Sequence, residues 1–153
     1  EDFIINFSYL IVINTFHRYI FKVMANSYIL GRAREHNLLS KLRINGWFAI
    51  RGSGSKAGMV VVDGKKYYPI DIVSVKKDKK KTIVWFIQVS KYLSDIDEVE
   101  RKYLKIWAKK VGAEPILAWT FEKRRKSNPK RGKWEFYNLN DNKYIKLNKK
   151  DSK

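Results

Sequence analysis

Three oxygen-bearing side chains stand at widely separated positions next to or within apolar stretches of the 153-residue sequence. Glu35 precedes the leucine-rich face of a predicted helix, Asp71 lies in the apolar run 68–75, and Gln88 lies in the apolar run 82–91. Divalent-metal chemistry requires hard oxygen ligands that converge from neighbouring strands, with a cation near the reacting group. The order of helix acid, strand acid and strand amide suits that requirement, provided that the three elements meet.

Glu35 has two interpretations. It precedes Leu38, Leu39 and Leu42 by three, four and seven residues, so its carboxylate is predicted to lie over the buried face of the helix. An inward-facing acid needs a partner or a function. The alternative is an acid in the first helical turn that is favoured by the helix dipole.

A short basic segment after Arg51 is a second candidate for contact with a phosphate. Its sequence is GSGSK, residues 52–56, and its polar members are Ser53, Ser55 and Lys56. The segment lacks the GxxxxGK[ST] spacing of a P-loop. Segments of similar composition are also common as plain connectors.

Hydrophobic periodicity predicts an α/β domain with a mixed central β-sheet flanked by helices. The predicted elements are a helix over 27–44, a strand over 47–51, a hairpin over 59–70 turned by Asp63-Gly64, strands over 68–75 and 82–91 joined by a tip at 76–81, a helix from after 97 to about 111, and strands over 115–121 and 133–139. The near-continuous apolar run 82–91 favours a central strand, and 133–139 is expected at the edge. Alternation along 82–91 places Gln88 and Ser90 on one face and Lys91 on the other.

Composition excludes several classes of site. The chain has no Cys, which rules out disulfides, thiolate metal sites and thiol nucleophiles. Its two His leave little room for a histidine-based zinc site or a Ser–His–Asp triad. The 33 Lys and Arg against 15 Asp and Glu give a net charge of +18, which indicates a polyanionic partner. Nucleic acid is the first candidate and an anionic membrane surface the second.

The charge is unevenly distributed. The charges in residues 1–23 cancel, so the whole +18 lies in residues 24–153. The first segment is too short and interrupted for a spanning helix, and its acidic start does not suit a signal peptide. We expect a leader or upstream extension over 1–23, a working domain over 24–140 and a polar basic tail over 141–153. The alternative for the first segment is an extra helix or strand packed on the domain.

Five stretches in this order and spacing resemble one known family. They are GRAREHNLLSKLRINGWFAIRGSGSK (31–56), YPIDIVSV (68–75), TIVWFIQVSK (82–91), ERKYLKIWAKKVGAEPILAWTF (100–121) and KWEFYNL (133–139). Together they are similar to the archaeal Holliday junction resolvases, which belong to the restriction-endonuclease-like PD-(D/E)xK nucleases. The resemblance covers roughly residues 28–139 and implies a restriction-endonuclease-like core.

The resemblance also implies roles for individual residues. Glu35 would be the helix acid of the metal site and Asp71 the main metal ligand, while Arg51 would lie beside the scissile phosphate. One of the two hydroxyls of the following segment, Ser53 or Ser55, would lie there too.

The sequence departs from the family pattern in the second half of the motif. The family has Glu-x-Lys where this chain has Gln88-Val89-Ser90, and His36 stands where the family has Arg. Gln88 can offer a carbonyl oxygen to Mg²⁺ but no charge, so Gln88→Glu is expected to keep or raise activity. Lys56 is the preferred substitute for the missing cation, and Lys91 is a second candidate if a bulge turns it towards the site.

The resemblance further implies Mg²⁺, with Mn²⁺ as an alternative, and a homodimer that nicks opposite strands of a four-way DNA junction. A cytoplasmic, DNA-associated protein with no membrane partner is expected. The residues predicted to contact phosphates are Arg51, Lys56, Lys123, Arg124, Arg125, Lys130 and Arg131, together with the turn 76–81; the alternative for each is a solvated surface.

Three hypotheses remain open at this point. The chain could be an active junction-resolving endonuclease, or a member that binds branched DNA without cleaving it. The third is an unrelated basic protein that binds RNA or an acidic membrane. The last predicts that Glu35 and Asp71 lie far apart in the fold.

Overall fold

The computed structural model describes residues 28–52, 59–79, 81–120 and 133–147. The chain divides into two compact units, Glu1–Ala33 and Arg34–Lys153. In the first unit, residues 28–33 are helical, and the Arg32 guanidinium lies 5.7 Å from the centroid of the Tyr28 ring. Among the described residues, no helix is long and apolar enough to cross a membrane.

The elements follow the predicted order. They are α1 (28–44), β1 (Phe48–Arg51), β2 (Val60–Val62), β3 (Lys65–Tyr67), β4 (Ile72–Lys77), β5 (Thr82–Ser90), a short 3₁₀ turn (Leu93–Asp95), α2 (Glu98–Val111), β6 (Glu114–Thr120), β7 (Trp134–Asn138) and β8 (Lys143–Ile145). The fold is therefore the mixed α/β class that the sequence predicts.

Six of these strands form one mixed sheet in the order β1-β4-β5-β6-β7-β8. The neighbours β5 and β6 are parallel, and the other four pairs of this sheet are antiparallel. A parallel pair needs a crossover connection, and α2 is the helix that makes it. The predicted central position of β5 is confirmed, since β4 and β6 pair with its two sides.

Two apolar clusters cover opposite faces of the sheet. On one face, leucines of α1 pack with β5 residues Trp85 and Ile87. On the other, Leu104 of α2 packs with Leu117 and Trp119 of β6. Because both faces of the central strands are covered, β5 and β6 are apolar along nearly their whole length.

Local signals set the turn between β2 and β3 and the two ends of α2. Asp63 and Gly64 join β2 to β3 with φ of 49° and 74°, as a two-residue hairpin turn requires. The Asp97 side chain accepts a hydrogen bond from the Val99 N–H at the start of α2. Gly112 ends α2 with φ of 69°.

Three local predictions need correction. Strand β4 begins at Ile72 rather than at residue 68, because the chain bends at Asp71. Alternation along 68–75 predicts that Ile70 and Ile72 share one face of a strand, which is wrong, because Ile70 packs in the α2-side cluster and Ile72 in the α1-side cluster. Helical spacing also predicts Ala33 on the apolar face of the first helix, together with its leucines, but Ala33 is exposed.

The predicted edge position of residues 133–139 is also wrong. Strand β8 pairs with β7 on its outer side, although its residues were assigned to the polar tail that follows residue 140. The Tyr144 ring of β8 lies 5.4 Å from the Tyr137 ring and 5.9 Å from the Trp119 ring, centroid to centroid. These aromatic contacts stabilise a strand of three residues whose own sequence is too short to give a strong signal.

Candidate active site

An ion pair joins α1 to β1 at one side of the site. The Arg51 guanidinium Nε donates a hydrogen bond to Glu35 Oε2 at 2.6 Å, and the two side chains are 24% and 13% exposed. Glu35 lies two turns into the helical residues, beyond the first turn, where the helix dipole acts most strongly. Its inward position is therefore explained by Arg51, and the dipole interpretation is wrong.

Asp71 lies at the bend that connects β1, β4 and β5. Its backbone carbonyl accepts from the Gly52 N–H at 2.7 Å, and its backbone N–H donates to the Ile87 carbonyl at 2.9 Å. Its carboxylate Oδ2 accepts from the Val89 N–H at 2.7 Å. These three hydrogen bonds fix both the main chain and one carboxylate oxygen of Asp71.

The backbone at Gly52 approaches this bend closely. A Cβ atom at position 52 would lie 3.0 Å from the Ile70 carbonyl oxygen and 3.3 Å from Ile70 Cγ2. Glycine therefore permits the hydrogen bond from Gly52 to Asp71 without displacement of the bend.

The environment of Asp71 favours its neutral form. Burial raises the pKa of this carboxyl from 3.8 to about 7, and the Val89 N–H opposes the shift. Repulsion from Glu35 and Glu100 also raises the pKa, whereas the charge of Arg51 lowers it. Glu35 and Asp71 are thus close enough to interact, contrary to the hypothesis of an unrelated basic protein.

The side-chain amide of Gln88 is 8% exposed and lies between two sets of acceptors. One of its two polar positions is 2.6 Å from the Pro69 carbonyl oxygen and 3.0 Å from the Tyr68 carbonyl oxygen. The other is 3.5 Å from Glu100 Oε2. An amide oxygen at 2.6 Å from a carbonyl oxygen would be repelled, so the NH₂ group occupies the first position and donates to both carbonyls. The Gln88 oxygen therefore faces Glu100.

Glu100 is the site residue that the sequence analysis missed. It lies in the first turn of α2, and burial raises the pKa of its carboxyl, with Asp97 adding repulsion. The backbone N–H of Tyr68 and the charge of Lys65 act in the opposite direction. The available signal was its position four residues before the buried Leu104, the same spacing that singled out Glu35 before Leu39.

Other predicted residues are placed elsewhere or not described. Ser53, Ser55, Lys56, Lys123, Arg124, Arg125, Lys130 and Arg131 lie outside the described residues. Lys91 follows the end of β5, and its ammonium lies 5.0 Å from the centroid of the Tyr92 ring. His36 is exposed on α1. The structure thus brings together Glu35, Arg51, Asp71 and Gln88 from the predicted set and adds Glu100.

Acidic groups alone do not complete a metal site here. Within residues 28–52, 59–79, 81–120 and 133–147, no three Asp, Glu or His side chains converge closely enough to hold a metal ion. The Gln88 oxygen is the further hard donor beside the carboxylates of Asp71 and Glu100. Two carboxylates and one amide oxygen are ligands of the kind that Mg²⁺ binds.

Comparison with known proteins gives the family. The family model described as archaeal Holliday junction resolvase (Hjc) matches residues 26–150. A similar solved structure is that of Archaeoglobus fulgidus Hjc, a Holliday junction resolvase from an archaeal hyperthermophile. It is 23% identical, with 72% of this chain and 78% of that chain covered and a TM-score of 0.46. No curated protein sequence matches significantly. Because the family model matches more than half of this chain, the chain belongs to the archaeal Holliday junction resolvase family.

Proposed function

We propose that this protein is a Holliday junction resolving endonuclease that hydrolyses phosphodiester bonds at four-way DNA junctions with Mg²⁺ as the cofactor and Mn²⁺ as an alternative. The observation that supports the proposal is the position of Asp71. Its buried carboxylate lies where β4 meets β5, within reach of the charges of Glu35, Arg51 and Glu100. In a chain of this family, such a carboxylate is suited to bind a divalent cation.

The residues around Asp71 fit a metal ion. Asp71 Oδ2 is held by the Val89 N–H, which orients the carboxylate and leaves its other oxygen for a ligand bond. Gln88 would add an uncharged oxygen, because its NH₂ group is engaged by the main chain. A divalent cation held there would polarise the phosphate and lower the pKa of the attacking water.

Arg51 is proposed to contact the phosphate rather than the metal ion. Its ion pair with Glu35 holds the guanidinium at the end of β1, where the chain enters the segment 52–56. A guanidinium in this position has the fork of N–H donors that suits a phosphate oxygen. Ser53, Ser55 and Lys56 follow Arg51 directly and are proposed to contact the same phosphate, with Lys56 or Lys91 stabilising the charge that develops.

The proposed substrate suits the charge of the chain and a twofold assembly. The net charge of +18 favours a polyanion with many phosphates. We place the phosphate contacts on the cations at 123–125, 130 and 131 and on the turn 76–81. A homodimer would present two sites to a four-way junction that is itself nearly twofold symmetric.

The test is cleavage of a synthetic four-way junction by the full chain in Mg²⁺. Paired, symmetric nicks are expected from the wild type, and Asp71→Asn is expected to abolish them. Asp141→Asn, the same change at an exposed acid in the turn between β7 and β8, serves as the control and should leave nicking unchanged. Tight junction binding without nicks in Mg²⁺ or Mn²⁺ would contradict the proposal and favour a member that binds without cleaving.

A further inference from the structure

Two oxygen atoms face each other in the site with no hydrogen between them. With the Gln88 amide assigned by its short contacts to Tyr68 and Pro69, the atom at 3.5 Å from Glu100 Oε2 is an oxygen. Both atoms are hydrogen-bond acceptors when Glu100 is ionised. Either a proton on Glu100 or a cation between the two oxygens is needed to make this approach favourable.

The charges of the described residues leave a divalent cation as the better partner. Asp71 and Glu100 repel each other and neither forms a salt bridge with a described residue. The nearby cations are committed elsewhere: Arg51 pairs with Glu35 at 2.6 Å, and Lys65 lies 3.9 Å from Asp97. Asp71 and Glu100 therefore share this space with the Gln88 oxygen, and among the described residues no cation forms a salt bridge with either carboxylate.

We infer that Glu100 is a metal ligand, which completes from helix α2 a divalent-cation site with Asp71 and Gln88. The inference rests on the proposed metal-dependent function and adds the second charged ligand to it. One carboxylate comes from the bend before β4, the amide oxygen comes from β5, and the other carboxylate comes from the first turn of the crossover helix. Two carboxylates balance the charge of one divalent cation.

The experiment measures Mn²⁺ binding to the full chain without DNA, by loss of the electron paramagnetic resonance signal of free Mn²⁺. The Mg²⁺ concentration for half-maximal nicking is measured in parallel. Glu100→Gln is expected to weaken Mn²⁺ binding and to raise that Mg²⁺ concentration by about tenfold or more. Glu98→Gln removes an exposed acid from the same helical turn and should change neither quantity.

The melting temperature of Glu100→Gln distinguishes a metal ligand from a residue with a purely structural role. The new amide of Glu100→Gln can donate to the Gln88 oxygen, so its melting temperature without metal should equal or exceed that of the wild type. Glu100→Ala, which makes no such bond, should show the same loss of Mn²⁺ binding. A purely structural Glu100 would instead show a lower melting temperature and unchanged Mn²⁺ affinity.

The outcomes distinguish this inference from the proposed function. If Glu100→Gln and Glu100→Ala bind Mn²⁺ and nick the junction as the wild type does, the role of Glu100 alone is overturned. The two oxygens of Gln88 and Glu100 would then share a proton instead of a cation. No Mn²⁺ binding and no nicking by the wild type would overturn both.

Discussion

At the scale of single residues, Asp71 carries the main energetic cost of the site. Its carboxylate is almost fully buried next to two other acids, and one hydrogen bond from Val89 offsets only part of the loss of hydration. A buried carboxylate that is ionised in the absence of a cation destabilises the folded chain. A bound divalent cation would remove that cost, so metal binding and stability are coupled at this residue.

This coupling predicts a pH-dependent effect of Asp71→Asn on stability without metal. The pKa of Asp71 is about 7 in the folded chain, above the ordinary value of 3.8 that applies to the unfolded chain. The wild type therefore takes up a proton on folding between these two pH values. Its stability decreases as the pH rises from about 4 to 7. Asn cannot ionise, and the variant should be more stable than the wild type at pH 8 by about 2–4 kcal/mol, from about 1.4 kcal/mol per pKa unit.

The measurement is urea unfolding of both proteins in EDTA at pH 5 and pH 8. The stability difference between variant and wild type should be clearly smaller at pH 5. A difference that is constant with pH, or larger at pH 5, would show that Asp71 does not titrate in this range.

At the scale of elements, Gln88 connects the segment before β4 to β5. Its NH₂ group donates to the carbonyls of Tyr68 and Pro69, while its oxygen is directed to Glu100. The amide therefore does what a carboxylate cannot do at this position, since a carboxylate has no hydrogen to donate. The sequence-based expectation for Gln88→Glu did not include these two carbonyl partners.

The structure predicts that Gln88→Glu is destabilising and less active. A carboxylate would face two carbonyl oxygens and the Glu100 charge, at a cost of about 1–3 kcal/mol. Thermal unfolding and junction nicking in Mg²⁺ measure the two effects. Asn140→Asp, an amide-to-acid change in an exposed turn, is the control. Equal stability and equal or higher nicking by Gln88→Glu would show that the sequence-based expectation was right and that the amide assignment is wrong.

At the scale of the whole molecule, the strong positive charge and the acidic site have separate functions. The net charge of +18 acts over the surface and attracts phosphates without regard to sequence. The buried acids of the site instead repel a phosphate until a cation is bound. Binding of DNA should therefore depend on the salt concentration, whereas cleavage of DNA should depend on the divalent cation.

This separation predicts strong salt dependence of metal-free binding. In EDTA, junction affinity should fall by about 10³–10⁵ between 50 and 200 mM salt if six to ten phosphates are contacted. Asp71→Asn should bind at least as well as the wild type at each salt concentration, because it removes a negative charge. Fluorescence anisotropy with a labelled junction measures both. A loss of less than about tenfold over this range would contradict a binding mode dominated by phosphate contacts.

The sequence by itself determined the features that depend on neighbours along the chain. The Asp63-Gly64 turn, the Asp97 cap and Gly112 end of α2, and the apolar run of β5 are local or periodic signals, so the order of elements and the α/β class could be predicted. The placement of Glu35 and Asp71 in one site was reached through their order and family resemblance.

The tertiary structure alone decided which groups touch. Glu100 meets Gln88 because the crossover helix places its first turn beside β5, and the Gln88 amide is oriented by carbonyls of another segment. Strand β8 pairs with β7, and its Tyr144 ring contacts the rings of Trp119 in β6 and Tyr137 in β7. Periodicity reports which face of an element is buried, but contacts between distant residues depend on strand register and helix placement, which only the packed chain specifies.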